Sequence, residues 1–208
     1  MKKINFLLFR HAECEMNLIY HIFVGGRSNS SPLTPLGIEQ ATNLGKNLQK
    51  QGLRFDKVFS STAVRTIATA TYVGEYLGFS EKDIATSEEL LELDQGEWEG
   101  MRREKAYTPE ILAKINSDAW NFCPPGGESQ KIVAERMFGW VQSILTTTSV
   151  NSTIAVFSHG VAIKCLLRAI MNFDANITYK IHLDNCALTQ LCFHNDLWEI
   201  VCINQRYV

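Results

Sequence analysis

Two histidines far apart in the chain stand in the same local setting, each directly after a short apolar run. His11 follows the stretch Ile4 to Phe9 and Arg10, and His159 follows Thr153 to Phe157 and Ser158. Runs of that length and composition predict buried strands that deliver polar groups at their C-terminal edge. The Arg10-His11 pair sets a permanent cation beside an imidazole that is a neutral nucleophile near pH 7 and is able to carry a phosphoryl group. Arg65, one turn into the helix expected after the strand Asp56 to Ser60, offers a second planar fork to the same anion, and His159 offers a further hydrogen bond. A leaving alkoxide also needs a proton, and Glu92, shortly before Gly96, is the expected acid. Together these residues suit phosphotransfer that needs no metal.

The elements that must position them alternate. After the first strand, Leu33-Thr34-Pro35 caps a helix whose apolar stripe runs through Ile38, Ala41, Leu44 and Leu48 to Gly52. The second strand, Asp56 to Ser60, precedes a helix over Ala63 to Leu77 that stops at Gly78. A strand-like stretch from Thr86 to Leu93 leads into Gly96 and a turn at Trp98-Glu99-Gly100, and Thr108-Pro109-Glu110 caps another helix. Pro124 to Gly127 reads as a loop, and Ile132, Val133, Trp140, Val141, Ile144 and Leu145 keep helical spacing. The strand Thr153 to Phe157 is followed by a helix from Val161 to Met171. Ala187 to Phe193 and Leu197 to Ile203 form a hairpin around His194-Asn195-Asp196. This order predicts an α/β fold, a three-layer α/β/α sandwich whose mostly parallel sheet carries an antiparallel edge strand, with residues 1–208 as a single domain. In such sheets ligands gather beyond the carboxyl ends of the strands, where His11 and His159 both fall.

Longer strings narrow the reading. Arg10-His11-Ala12-Glu13-Cys14-Glu15-Met16-Asn17 resembles the RHGE(T/S)xxN signature of the histidine phosphatase superfamily, also called phosphoglycerate-mutase-like. The ordered likeness continues through Gly26-Arg27, Pro32-Leu33-Thr34, Gly37 to Ala41, Ser60-Ser61 with Arg65 and Thr69-Ala70, Glu92 with Gly96 to Gly100, Pro125 to Ser129, and Ser158-His159-Gly160. The resemblance implies that His11 becomes phosphohistidine, that Arg10, Arg65 and His159 bind the phosphoryl oxygens with help from Asn17, and that Glu92 acts as acid and then as base. Arg27 lies in a block that in this family often reaches the substrate. Three departures stand out: Ala12 replaces Gly, Cys14 replaces a hydroxyl residue, and Leu91 stands where many relatives carry Arg.

Phosphoglycerate mutases of this kind carry a longer insertion with a Trp-Arg-Arg run, whereas Trp120 is followed here by Asn121-Phe122. That favours a phosphatase acting on a small phosphomonoester such as a phosphosugar. The cations Arg102, Arg103 and Lys105 keep a cofactor-dependent mutase as the alternative, and Cys14 and Leu91 keep a catalytically weak phospho-ligand-binding protein as a second one. Other motifs fail: His11-Ala12-Glu13 lacks the PCxxC partner of zinc deaminases, and no GxSxG, HExxH or GxxxxGK[ST] string occurs.

Bulk properties set the remaining expectations. A net charge of −2 gives no basic field for a nucleic-acid backbone or an anionic membrane, so an anion must meet a local cluster. Six cysteines without a CxxC pair read as reduced thiols, and the apolar run after Lys2-Lys3 is cut short by Arg10-His11 before it reaches the length of a secretory core. The chain is therefore expected in the cytoplasm, with no cofactor and no metal. Its expected partner is a small phosphorylated metabolite, not nucleic acid or membrane, and a homodimer is left open.

Overall fold

A computed structural model describes residues 2–148 and 151–207 of the chain. The first half runs β1 (Lys3–Arg10), α1 (Glu15–Ile19), α2 (Pro35–Lys50), β2 (Lys57–Ser61), α3 (Val64–Leu77) and β3 (Ile84–Ser87). The second runs α4 (Arg103–Ala106), α5 (Pro109–Ser117), α6 (Gln130–Thr147), β4 (Ser152–Ser158), α7 (Gly160–Met171), β5 (Leu188–His194) and β6 (Leu197–Gln205). The strands form one sheet in the order β3-β2-β4-β1-β5-β6. β1, β2, β3 and β4 are mutually parallel, while β5 runs antiparallel to β1 and β6 antiparallel to β5.

Alternation along the strands makes the layers. Phe6 and Leu8 of β1, with Ile154 and Val156 of β4, pack against Val133, Met137 and Val141 of α6 and Ile163 and Leu166 of α7. The intervening residues Leu7, Phe9, Ala155 and Phe157 point the other way, onto Ala41, Leu44 and Leu48 of α2 and Ala70 and Val73 of α3. A strand whose two faces are both covered must be apolar on both, which is why these runs show no polar alternation. The expected sandwich is present.

Local chemistry sets the boundaries. Gly37 donates its backbone N–H to the Thr34 hydroxyl at 3.0 Å, Pro35 occupies the first turn, and α2 begins there. α3 ends at Gly78, whose φ of 80° suits a residue without a Cβ. The antiparallel edge is the expected hairpin, formed by β5 and β6. Asn195 and Asp196 both hold positive φ, 53° and 60°, in a two-residue turn between the paired His194 and Leu197.

The expected strand from Thr86 to Leu93 is corrected. β3 leaves the sheet at Ser87, and a 3-10 turn over Glu88–Leu90 follows. Leu90, Leu91 and Leu93 are all buried, a spacing that alternation cannot provide, and the Leu90 carbonyl accepts from the Ser158 side-chain hydroxyl at 2.8 Å instead of from the backbone of β2, whose pairing with β3 ends at Ser87. α1 was not expected at all: it has five residues and buries none of them.

Candidate active site

Parallel pairing of β1 with β4 sets Arg10 opposite Ser158. His11 and His159, each the next residue, leave the sheet side by side with ring centroids 5.3 Å apart. The His11 N–H still donates to the Ser158 carbonyl at 3.0 Å, one step past the strand. The two separate sequence signals therefore belong to a single site.

The His11 ring is oriented by its own loop. Nδ1 lies 2.8 Å from the Ala12 carbonyl, which only accepts, so Nδ1 carries the proton and Nε2 keeps its lone pair. Burial, with Arg65 and Arg10 close by, lowers the His11 pKa well below its ordinary value and keeps the ring neutral. The backbone is held as well: Asn185 donates Nδ2 to the His11 carbonyl at 2.8 Å, and the Ala12 N–H donates to Thr69 on α3 at 3.0 Å. A neutral imidazole with a free Nε2 and a fixed backbone is a nucleophile ready for phosphorus.

Arg65, in the first turn of α3, is buried and divides its guanidinium. One nitrogen donates to the Ser28 carbonyl and the other to His159 Nδ1, each at 2.9 Å. Since arginine has only donors, His159 Nδ1 accepts and its proton sits on Nε2, which donates to Ser61 Oγ at 2.8 Å. Ser61 in turn meets Thr66 Oγ1 at 2.6 Å, and Thr66 donates to the Ala63 carbonyl at 2.8 Å. Burial, followed by Arg65 and His11, keeps the His159 pKa well below its ordinary value. Arg10 donates Nη1 to the Leu183 carbonyl at 2.7 Å, while its buried Nε has no partner. Burial also lowers both arginine pKa values, with Glu92 and Cys14 opposing the shift in each.

Glu92 sits at the opposite wall. Its carboxylate accepts from the Leu93, Val161 and Ala162 N–H groups at 2.9, 3.0 and 2.9 Å, the last two in the first turn of α7, where the helix end favours negative charge. A Cβ added at Gly160 would lie 3.6 Å from Arg10 Nε and 3.9 Å from Glu92 Oε2, so acid and cation flank one point.

The remaining expected residues are placed differently. Asn17 Oδ1 accepts from the Cys14 N–H at 3.1 Å, the Cys14 thiol at 3.4 Å and Asn185 Nδ2 at 3.4 Å, which leaves its amide donors for a ligand. The Cys14 thiol thus points into its own loop. Arg27 does not join the histidines directly: its guanidinium lies between Asp94 and Glu128, 3.4 Å from each. Its turn does reach the site, because the Ser28 carbonyl receives Arg65. The preceding Gly26, at φ 76°, is required there, since a Cβ would come within 2.3 Å of the Glu99 carboxylate that binds the Arg27 and Ser28 N–H groups.

Sequence reasoning missed two supports. Asn185 gave no signal, lying in coil before β5 and 174 residues from His11. Ser61 was visible in the Ser60-Ser61 string but carried no role until its partner ring was located. Among the described residues, no three His, Cys, Asp or Glu side chains gather as a metal site.

A model of the histidine phosphatase superfamily (branch 1) matches residues 6–206. A 2,3-bisphosphoglycerate-dependent phosphoglycerate mutase of Methylobacterium radiotolerans is 30% identical over 167 residues, covering 79% of this chain and 77% of the relative. Among solved structures, a mycobacterial glucosyl-3-phosphoglycerate phosphatase superposes with a TM-score of 0.84 at 22% identity, covering 99% of this chain and all of the other. The α-ribazole phosphatase of Shigella flexneri gives 0.79 at 21% identity, covering 97% and 96%. These two structural likenesses concern the fold.

Proposed function

The chain belongs to the histidine phosphatase superfamily, and within it we propose a phosphatase that hydrolyses a small phosphomonoester through phosphohistidine on His11. The observation that carries the reading is the His11 ring itself, whose protonated Nδ1 is tied to Ala12 and whose free Nε2 stands beside Arg65, Arg10 and His159. The phosphoryl oxygens would take the donors of Arg10, Arg65 and Asn17, whereas His159, expected to bind them too, has its one N–H on Ser61 and instead holds the Arg65 guanidinium in place. His11 Nε2 attacks phosphorus, the ester P–O bond breaks, and the Glu92 carboxyl gives its proton to the leaving oxygen. Glu92, now a carboxylate, takes a proton from water as that water attacks phosphorus. The P–N bond breaks and inorganic phosphate departs. One water is consumed, and alcohol and phosphate are the products.

The 30% identity to a named mutase keeps a second reading, transfer back to another hydroxyl of the same substrate. The local geometry speaks for hydrolysis. Asn121, where a mutase-type run would place a cation, is spent on the Asp118 carboxylate. Arg102 lies over the Phe23 ring and Arg103 over Tyr107. The proposed setting is the cytoplasm, supported by six free thiols. No described helix is long and apolar enough to cross a membrane.

The deciding experiment follows two products in the presence of a metal chelator. Release of inorganic phosphate from 4-nitrophenyl phosphate and from sugar phosphates, absent in His11→Ala, is the expected result. Interconversion of 3- and 2-phosphoglycerate, stimulated by the bisphosphate and outpacing phosphate release, would replace the phosphatase by the mutase.

A further inference from the structure

Glu92 lies in a segment with little regular structure to hold it. β3 ends at Ser87, a single 3-10 turn covers Glu88–Leu90, and the next short turn starts at Gly96. The backbone is held from α6 instead. Arg136, in the second turn of that helix, donates Nη1 to the Glu89 carbonyl at 2.6 Å and Nη2 to the Glu92 carbonyl at 3.0 Å. The same guanidinium makes a fork with Glu128, Nε to Oε1 and Nη2 to Oε2, each at 2.9 Å. Glu128 Oε2 in turn accepts the Asp94 N–H at 3.1 Å. The carbonyls of Glu89 and Glu92 and the N–H of Asp94 are thus tied to one ion pair, whose side chains keep only 15% and 12% of their surface exposed. Burial works against the Glu128 charge, but the Arg136 hydrogen bond and charge outweigh it and leave the Glu128 pKa below its ordinary value.

We propose that Arg136 is a positioning residue for the proton donor: with Glu128 it splints residues 89–94 so that the Glu92 carboxylate stays seated on the first turn of α7. The inference rests on the reading of Glu92 as the acid and adds what holds it. The two attachments come from different helices. Arg136 on α6 grips the backbone of the segment, while the Val161 and Ala162 N–H groups of α7 hold the side chain. Those N–H groups lie where a helix supplies no acceptor of its own, so the Glu92 carboxylate is what satisfies them. A backbone that slipped by about 1 Å would take the carboxylate off α7 and out of line with the leaving oxygen together, a displacement on the scale that costs about 10²-fold in rate.

Amide hydrogen exchange of the full chain, followed by NMR, reads the seat directly. In Arg136→Met the Val161 and Ala162 amides should exchange about five- to tenfold faster, the scale of one lost hydrogen bond. The Ile163 amide, which donates to the His159 carbonyl at 3.1 Å, should keep its rate. Arg136→Lys keeps the charge but not the fork, so it should behave like Arg136→Met and stands in for it should that variant not fold. Unchanged exchange at Val161 and Ala162 overturns the proposal, and so does an equal increase at Ile163, which would make Arg136 a support of the whole helix end. Kinetics carry the same split. In Arg136→Met, kcat for glycerol 3-phosphate should fall about ten- to a hundredfold with KM held, while the rate of the nitrophenolate burst from 4-nitrophenyl phosphate stays within about threefold. Equal losses on both esters overturn the proposal. Should the wild-type protein hydrolyse neither ester, or Glu92→Gln hydrolyse glycerol 3-phosphate at the wild-type rate, the reading of the site falls by itself. The exchange rates then decide alone whether Arg136 seats the carboxylate.

Discussion

His159 and Ser61 have no solvent-exposed surface and Arg65 almost none, whereas Arg27 keeps 30% of its side-chain surface and Arg102 keeps 58%. The first group sits where strands end, and each polar atom is assigned by a chain of donors and acceptors from Arg65 through His159 and Ser61 to Thr66. The second group sits outside the sheet, on the turn ahead of α2 and just before α4, where Arg27 meets carboxylates and Arg102 an aromatic ring. Donors fixed before the anion arrives have little reorganising to do, which is the main electrostatic source of rate acceleration. Exposed contacts add little stability, and loops accept change in length and sequence. The fixed chain of donors and acceptors is therefore built into the sheet, and the looser contacts are left to its surroundings.

Substitutions in the two regions should differ in size and kind. Glu92→Gln should lower kcat for an alkyl phosphate by about 10²- to 10⁴-fold, the usual contribution of a proton-transferring group. With 4-nitrophenyl phosphate, whose leaving group needs no acid, rapid quench should instead show a burst of nitrophenolate followed by slow turnover, with phosphohistidine accumulating. A linear trace without a burst would remove Glu92 from the second step. Arg65→Ala should cost about 10²- to 10³-fold in kcat, because it deletes an oxyanion donor and unties His159. A loss confined to KM would move Arg65 from the transition state to simple binding.

The pH response comes next. Both histidines have folded pKa values pushed below the unfolded value of about 6.5, so under acid conditions the unfolded chain binds protons the folded one refuses. Their contribution to stability is complete above about pH 6.5 and is lost as the pH falls from there toward the folded values. Urea midpoints should drop between about pH 7.5 and 5.5, and the drop should shrink in His159→Gln. A midpoint rising on acidification would reverse the assignment. Smallest of all, Arg27→Met should raise KM by less than about tenfold with kcat unchanged, since partly exposed pairs are worth about 1 kcal/mol or less. A kcat loss matching that of Arg65→Ala would erase the distinction between the two regions.

Legibility follows the same division. The two histidines at the strand ends could be read because a strand buried on both faces must be continuously apolar, so the first polar residues after it mark the sheet edge. Thr34-Pro35 and Gly78 marked helix ends because the capping chemistry is local. Thr86 to Leu93 misled because Leu90 and Leu93 are buried by a turn packed into the core with α6, and an apolar cluster alone does not say which geometry buries it. α1 was invisible for the opposite reason, since a helix with no buried residue has no stripe. Asn185 was out of reach because its meaning lies wholly in a partner at the other end of the chain.

Thr69 accepts the Ala12 N–H and donates its hydroxyl to the Arg65 carbonyl, so the loop carrying His11 is fastened to the same helix that holds Arg65. Thermal breathing of that helix against the sheet would then move both ends of the vice in step, preserving the spacing across the jaw. A mutation that loosens the packing under α3 should consequently leave the bite in register while letting the whole jaw wobble, to be felt as poorer heat tolerance long before it is felt as a misaligned strike.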